Sequence, residues 1–268
     1  MADFSYLARP SAEWTSFLHQ QSLPPTPDPT SNPDIKDIRR RISSQRFTVS
    51  SDELKAMGDH GVKTKTLMVA GEDCIEIPIR LYVPGNRGAS VLLYFHGGSF
   101  FYGSLSTEDA TCTSLALNCG VTVVSVGYRL APEWITPAPF QDAWDARCWV
   151  MQNAASIGMP PEFGLYVMGI SAGACLAASI VIRERMIQGG KASPMQCQNA
   201  ALLSYSWVVQ YAHMMDPPES CRDSPIINPL LFDEEAIGKL PPTHIMVCGD
   251  DPLRDHGMLF NKKLQHLG

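Results

Sequence analysis

Gly164-Leu165-Tyr166-Val167-Met168-Gly169-Ile170-Ser171-Ala172-Gly173 is the stretch that decides the fold. Its first half is a short apolar run of strand character, and its second half is a Gly-x-Ser-x-Gly turn. A helical pattern follows through Gln188. Residues 165–182 carry no charge over 18 positions, which is long enough for a membrane span by length alone. The glycines, Ser171 and the alanines in the middle point instead to a strand, a sharp turn and a buried helix. A serine on such a turn has only small neighbours. Its hydroxyl is lifted clear of the backbone, with a helix N-terminus beneath it. A glycine-rich packing turn is the plain alternative. The strand before and the helix after favour a nucleophile.

Strand and helix patterns alternate outward from this turn. Residues 62–69 and 75–83 alternate apolar and polar, while 90–95 (SVLLYF) and 121–127 (VTVVSVG) are nearly unbroken apolar runs, as in strands covered on both faces. Residues 164–168, 200–204 and 244–248 are further strand candidates, and helical patterns fall at 108–119, 140–155, 172–188 and 255–266. The alternation predicts one α/β domain over 61–268 with a mostly parallel sheet. Residues 195–239 break it with several prolines and a polar stretch, and read as a lid insertion. Residues 1–60 read as an N-terminal cap segment. There, 11–21 is a helix candidate, 24–33 holds five prolines in ten residues, and Asp34 can cap a short basic helix through Ile42. Lys36, Arg39, Arg40 and Arg41 on that helix read as a solvated face rather than a ligand patch.

Composition narrows the function classes. The 268 residues are 45% hydrophobic and 18% charged, with a net charge of −6. That describes a globular chain with a sizeable core, and its acidity argues against a nucleic-acid partner. The eight cysteines form no CxxC pair, so a zinc site of that kind has no support, and reduced thiols are expected. Residues 1–10 lack the basic and apolar regions of a secretory signal, so a cytoplasmic location without membrane attachment is expected.

Two further motifs carry chemistry. His96-Gly97-Gly98-Ser99 follows the SVLLYF run. Acyl transfer develops an oxyanion, and adjacent small residues let a loop present backbone N–H groups to it. His96 is a candidate base, although anchoring the loop is the favoured role. Asp251-Pro252-Leu253-Arg254-Asp255 follows the 244–248 strand candidate. A carboxylate there can orient an imidazole. Asp251 is the choice, with Asp250 and Asp255 as competitors; Asp255 could instead cap the next helix.

Together with Tyr128-Arg129-Leu130-Ala131-Pro132-Glu133, and Pro137, Ala138, Phe140 and Asp142 after it, these motifs resemble the hormone-sensitive-lipase group of α/β-hydrolase esterases. The resemblance runs from about residue 77 to 268. It implies an α/β-hydrolase fold with a small cap, a serine carboxylesterase activity on small or medium acyl esters, and no cofactor or metal. Ser171 would attack the ester carbonyl and Asp251 would orient a histidine. The N–H groups of Gly98, Ser99 and Ala172 would hold the oxyanion, with Gly97 supporting the loop. The Tyr128–Glu133 motif would hold loop architecture.

The group places its histidine beyond one more strand after the aspartate. The expectation is therefore a chain that stops before the last strand, the histidine and the final helix, with weak or no activity in this form. His256 and His266 do not resemble that histidine. Lacking the last strand, 244–248 is expected to be an exposed sheet edge. Ser99 stands where a third glycine is usual, Ile170 where an aspartate is common and Ala174 where a glycine is. The plant gibberellin receptors also resemble this group, carry HGGS and lack the histidine, so a non-catalytic small-molecule receptor is the alternative. A lyase or deacetylase on the same scaffold is a third possibility.

Overall fold

The computed structural model describes residues 12–20, 35–186, 215, 218–222, 224–231, 240, 243–247 and 254–267. Its sheet has five strands: β1 (Lys63–Ala70), β2 (Glu76–Val83), β3 (Ser90–Phe95), β4 (Thr122–Val126) and β5 (Gly164–Gly169). The order is β1-β2-β4-β3-β5, and β2 alone runs against the rest. The longer helices among the described residues are α1 (Ala12–Gln20), α2 (Ile35–Met57), α3 (Asp109–Cys119), α4 (Ala138–Asn153), α5 (Ala172–Met186) and α6 (Arg254–Leu267).

The unbroken apolar runs become the centre. Every residue of β4 is buried, and so is all of β3 after Ser90. Alternate side chains leave the sheet on opposite faces. Val91, Leu93 and Phe95 join Val124 and Val126 in the larger core, together with Phe140, Ala143, Ala146 and Val150 of α4 and Leu176 and Ile180 of α5. Leu92, Tyr94, Tyr82 and Val123 pack on the other face against Cys112 and Ala116 of α3. The turn between β5 and α5 interrupts the long uncharged stretch. No helix among the described residues is long and apolar enough to cross a membrane.

Three expectations need correction or lie out of view. The basic helix does not end at Ile42 but runs on to Met57. Its second half, rich in Ser and Thr, lacks an apolar stripe and attaches through polar side chains instead. Ser50 is buried there and its Oγ accepts the Ala110 N–H at 3.0 Å, satisfying a first-turn donor of α3. Residues 243–247 carry no strand, so the last strand among the described residues is β5, where Tyr166 and Met168 are exposed. The strand expected at 200–204 lies outside the described residues, as does most of the 195–239 insertion. Of that insertion, Met215 is buried and its carbonyl accepts the Thr136 N–H at 3.1 Å.

Candidate active site

The serine turn sits at the end of β5, against the end of β3. Ser171 is exposed and has φ 54, a left-handed backbone that costs a non-glycine residue about 1–2 kcal/mol. The neighbours make it possible. A Cβ on Gly169 would lie 2.0 Å from the Gly173 carbonyl oxygen, and one on Gly173 would lie 2.1 Å from the Phe95 carbonyl oxygen. Ile170 N–H donates to Phe95 O at 3.2 Å, which ties the turn to β3. Ile170, where an aspartate is common, is exposed.

The HGGS loop leaves β3 beside this turn. A Cβ on Gly97 would come within 3.0 Å of the Ile170 carbonyl oxygen. Gly98 has φ 139 and would place a Cβ 1.9 Å from the Tyr102 carbonyl oxygen, so no other residue fits. Ser99, at the third-glycine position, takes φ 53, and Phe100 takes φ 58. The serine thus adopts the left-handed conformation that a glycine adopts without strain.

A trans peptide group points its C=O and N–H in opposite directions. The N–H groups of Gly98, Ser99 and Ala172 therefore point away from the carbonyls of Gly97, Gly98 and Ser171. All three carbonyls are occupied. Gly98 O accepts from Phe101 N–H at 2.8 Å and Tyr102 N–H at 2.9 Å. Ser171 O accepts from Ala174 N–H at 2.8 Å and Cys175 N–H at 3.3 Å. Gly97 O accepts from Arg46 Nη1 at 3.0 Å and pairs with His96 Nδ1 at 2.9 Å. The bonds fix the direction of each N–H before any substrate arrives.

His96 is 1% exposed, and its ring stacks on Tyr128 at 4.3 Å between centroids. Burial pushes its pKa down to about 4, with the Gly97 carbonyl pulling upward and the Arg46 charge downward. The neutral ring must carry its proton on Nδ1, because Gly97 O can only accept. Nε2 is then a bare lone pair, buried with no partner among the described residues. Tyr128 Oη donates to the His96 carbonyl at 2.7 Å. Its neighbour Arg129 grips the fully buried Asp142 through Nε at 2.8 Å and Nη2 at 2.6 Å, and reaches Asp73 at 2.6 Å. The Tyr128–Glu133 motif is thus engaged in architecture.

The structure adds residues that the motifs do not mark. Arg39 of α2 donates to Phe101 O at 2.8 Å, to Ala131 O and to both Glu133 carboxylate oxygens. The expectation of a wholly solvated basic face is corrected here, since Arg39 is bound to the loop while Arg40 pairs with Asp37 at the surface. Gly103 has φ 103, and a Cβ there would lie 2.4 Å from His96 Nδ1. The repeated glycine in GGSFFYG was the available signal for it; Arg39 and Arg46 left none, because arginines on a polar helix look alike. Asp250 and Asp251 lie outside the described residues, as do the side chains of Asp255, His256 and His266. Among the described residues no cluster of His, Cys, Asp and Glu is arranged to hold a metal ion.

A mixed sheet whose third strand ends in a glycine loop, and whose fifth ends in a left-handed serine, has the architecture of an α/β hydrolase. The family model described as the alpha/beta hydrolase fold matches residues 92–268. The chain is 34% identical over 210 residues to esterase LipI of Mycobacterium tuberculosis, covering 69% of this chain and 62% of that protein. It is 30% identical over 224 residues to an arylesterase of Saccharolobus solfataricus, covering 77% and 72%. Among solved structures it is similar to a hyperthermophilic esterase from the archaeon Pyrobaculum calidifontis, with a TM-score of 0.79 and 28% identity over 96% of this chain and 86% of the other. The chain belongs to the α/β-hydrolase fold family, in its hormone-sensitive-lipase-like group of esterases. The receptor alternative draws no support from these matches.

Proposed function

We propose that this protein hydrolyses carboxylic esters of small or medium acyl chains through an acyl-enzyme on Ser171. The observation that carries the reading is the left-handed Ser171 at the strand-to-helix turn, beside a loop whose outward N–H groups are pre-set. Ser171 Oγ would attack the ester carbonyl carbon as its proton passes to a histidine oriented by Asp251, the one member of the set for which this sequence offers no motif match. The carbonyl oxygen becomes an oxyanion and receives the N–H groups of Gly98, Ser99 and Ala172, with Gly97 supporting the loop. Collapse expels the alcohol, which takes the proton, and water then releases the acid by the same route in reverse. His96 is not the base in this reading, because its ring is buried and its Nδ1 proton is committed to Gly97 O. A cap role for residues 1–60 and 195–239 belongs to the same proposal; among the described residues, α2 supports it through its bonds to the loop and Met215 through its bond to Thr136.

The arylesterase relative makes an aryl ester the natural probe. Any hydrolysis of p-nitrophenyl butyrate by the chain is expected to depend on Ser171, falling about 10³-fold or more in Ser171→Ala where a histidine completes the site. Equal rates for two folded proteins would overturn the proposal.

A further inference from the structure

We propose that Arg46, on the N-terminal helix α2, is a positioning residue for the oxyanion hole, setting the direction of the Gly98 N–H through the Gly97 carbonyl. The inference rests on the reading of that N–H as an oxyanion donor.

The three donor peptides are held differently. The carbonyls of Gly98 and Ser171 are held by backbone N–H groups of their own turns. Gly97 O is held by the side chains of Arg46 and His96. His96 is adjacent in sequence, and its own anchor is the segment after β4, through Tyr128. Arg46 comes from another element, 51 residues upstream. It is therefore the contact that ties this peptide to the N-terminal helix.

Arg46 is itself anchored. Its guanidinium pairs with the carboxylate of Glu108, whose side chain is 5% exposed. The other Glu108 oxygen accepts Tyr94 Oη from β3 at 2.8 Å. The guanidinium also lies 5.7 Å from the centroid of the Tyr102 ring. Two turns earlier on α2, Arg39 holds Phe101 O and Glu133. One helix thus grips the loop at both ends. The positive charge on Arg46 also polarises the peptide it binds, which makes the opposite N–H a stronger donor. An oxyanion exists only at the transition state, so losing this support lowers kcat and leaves KM nearly alone.

The test uses the full chain, p-nitrophenyl butyrate and 15N-glycine labelling. Arg46→Met alone would strand the buried Glu108 charge, so the main variant is Arg46→Met with Glu108→Gln, which keeps an acceptor for Tyr94. Arg46→Lys is the conservative companion. The double variant is expected to lose about tenfold in kcat with KM within about twofold, since one whole oxyanion donor is worth ~10²–10³. Its Gly98 amide resonance is expected to move upfield while glycines away from the loop keep their positions. Arg46→Lys is expected to recover part of both effects, and it decides alone if the double variant does not fold. An unmoved Gly98 resonance overturns the inference. So does an unchanged kcat alongside a moved resonance, because Arg46 would then hold the loop without serving the hole. If the parent shows no Ser171-dependent hydrolysis, the proposed function fails first, and the Gly98 resonance still decides whether Arg46 sets that peptide.

Discussion

His96 joins the loop to the stability of the whole protein. An unfolded chain protonates this imidazole near pH 6.5, whereas the folded ring resists protonation down to about pH 4. Between those values the unfolded state binds a proton that the folded state refuses. The stability tied to His96 is therefore fully present above pH 6.5, is lost as pH falls toward 4, and changes no further below that. The difference is on the order of 3 kcal/mol. His96→Gln can still donate to Gly97 O but does not titrate, so its stability relative to the parent should rise by about that amount from pH 7 to pH 4. Urea unfolding at several pH values checks this, and parallel curves would refute it. Ser171 shows the same local economy: one residue in a left-handed conformation is tolerated because Gly169 and Gly173 leave room around it.

At the scale of elements, the segment after β4 acts as a brace. Tyr128 carries the His96 carbonyl, Ala131 N–H donates to Phe100 O at 2.8 Å, and Arg129 ties the segment to α4 through Asp142. Arg129→Met would leave the Asp142 carboxylate buried and stripped of its cation. A loss of about 3–5 kcal/mol is expected, with most of it recovered in Arg129→Met/Asp142→Leu. Denaturant midpoints measure both, and a near-neutral single variant would show that the pair is dispensable. The architectural role of this segment was legible in the motif. The length of α2 was not, because Ser43–Met57 has no apolar periodicity for a sequence reading to follow, and its contacts run from Arg46, Ser50 and Arg39 to distant backbone atoms.

Across the molecule, two cores on opposite faces of the sheet hold the site in place. Leu93 lies fully buried at the middle of β3, paired with Val124 on one side and Val167 on the other. Leu93→Ala is expected to cost about 2–5 kcal/mol in thermal or urea unfolding, because the rigid strands around it collapse little into the cavity. At temperatures where the variant stays folded, its kcat should remain close to the parent's, since both the HGGS loop and the serine turn sit beyond the strand ends. A loss of only a few tenths of a kcal/mol would mean the central layer is more plastic than its burial indicates.

The sequence by itself determined the strand and helix alternation, the serine turn and the HGGS loop. Periodicity and turn chemistry act over a few residues and leave their mark in order along the chain. Only the tertiary structure decided that β2 runs against its neighbours, that His96 is sealed and neutral, and that α2 holds the loop. The last two outcomes depend on contacts between residues 32 to 94 positions apart, and polar side chains bound to backbone carbonyls leave no pattern in either partner's sequence.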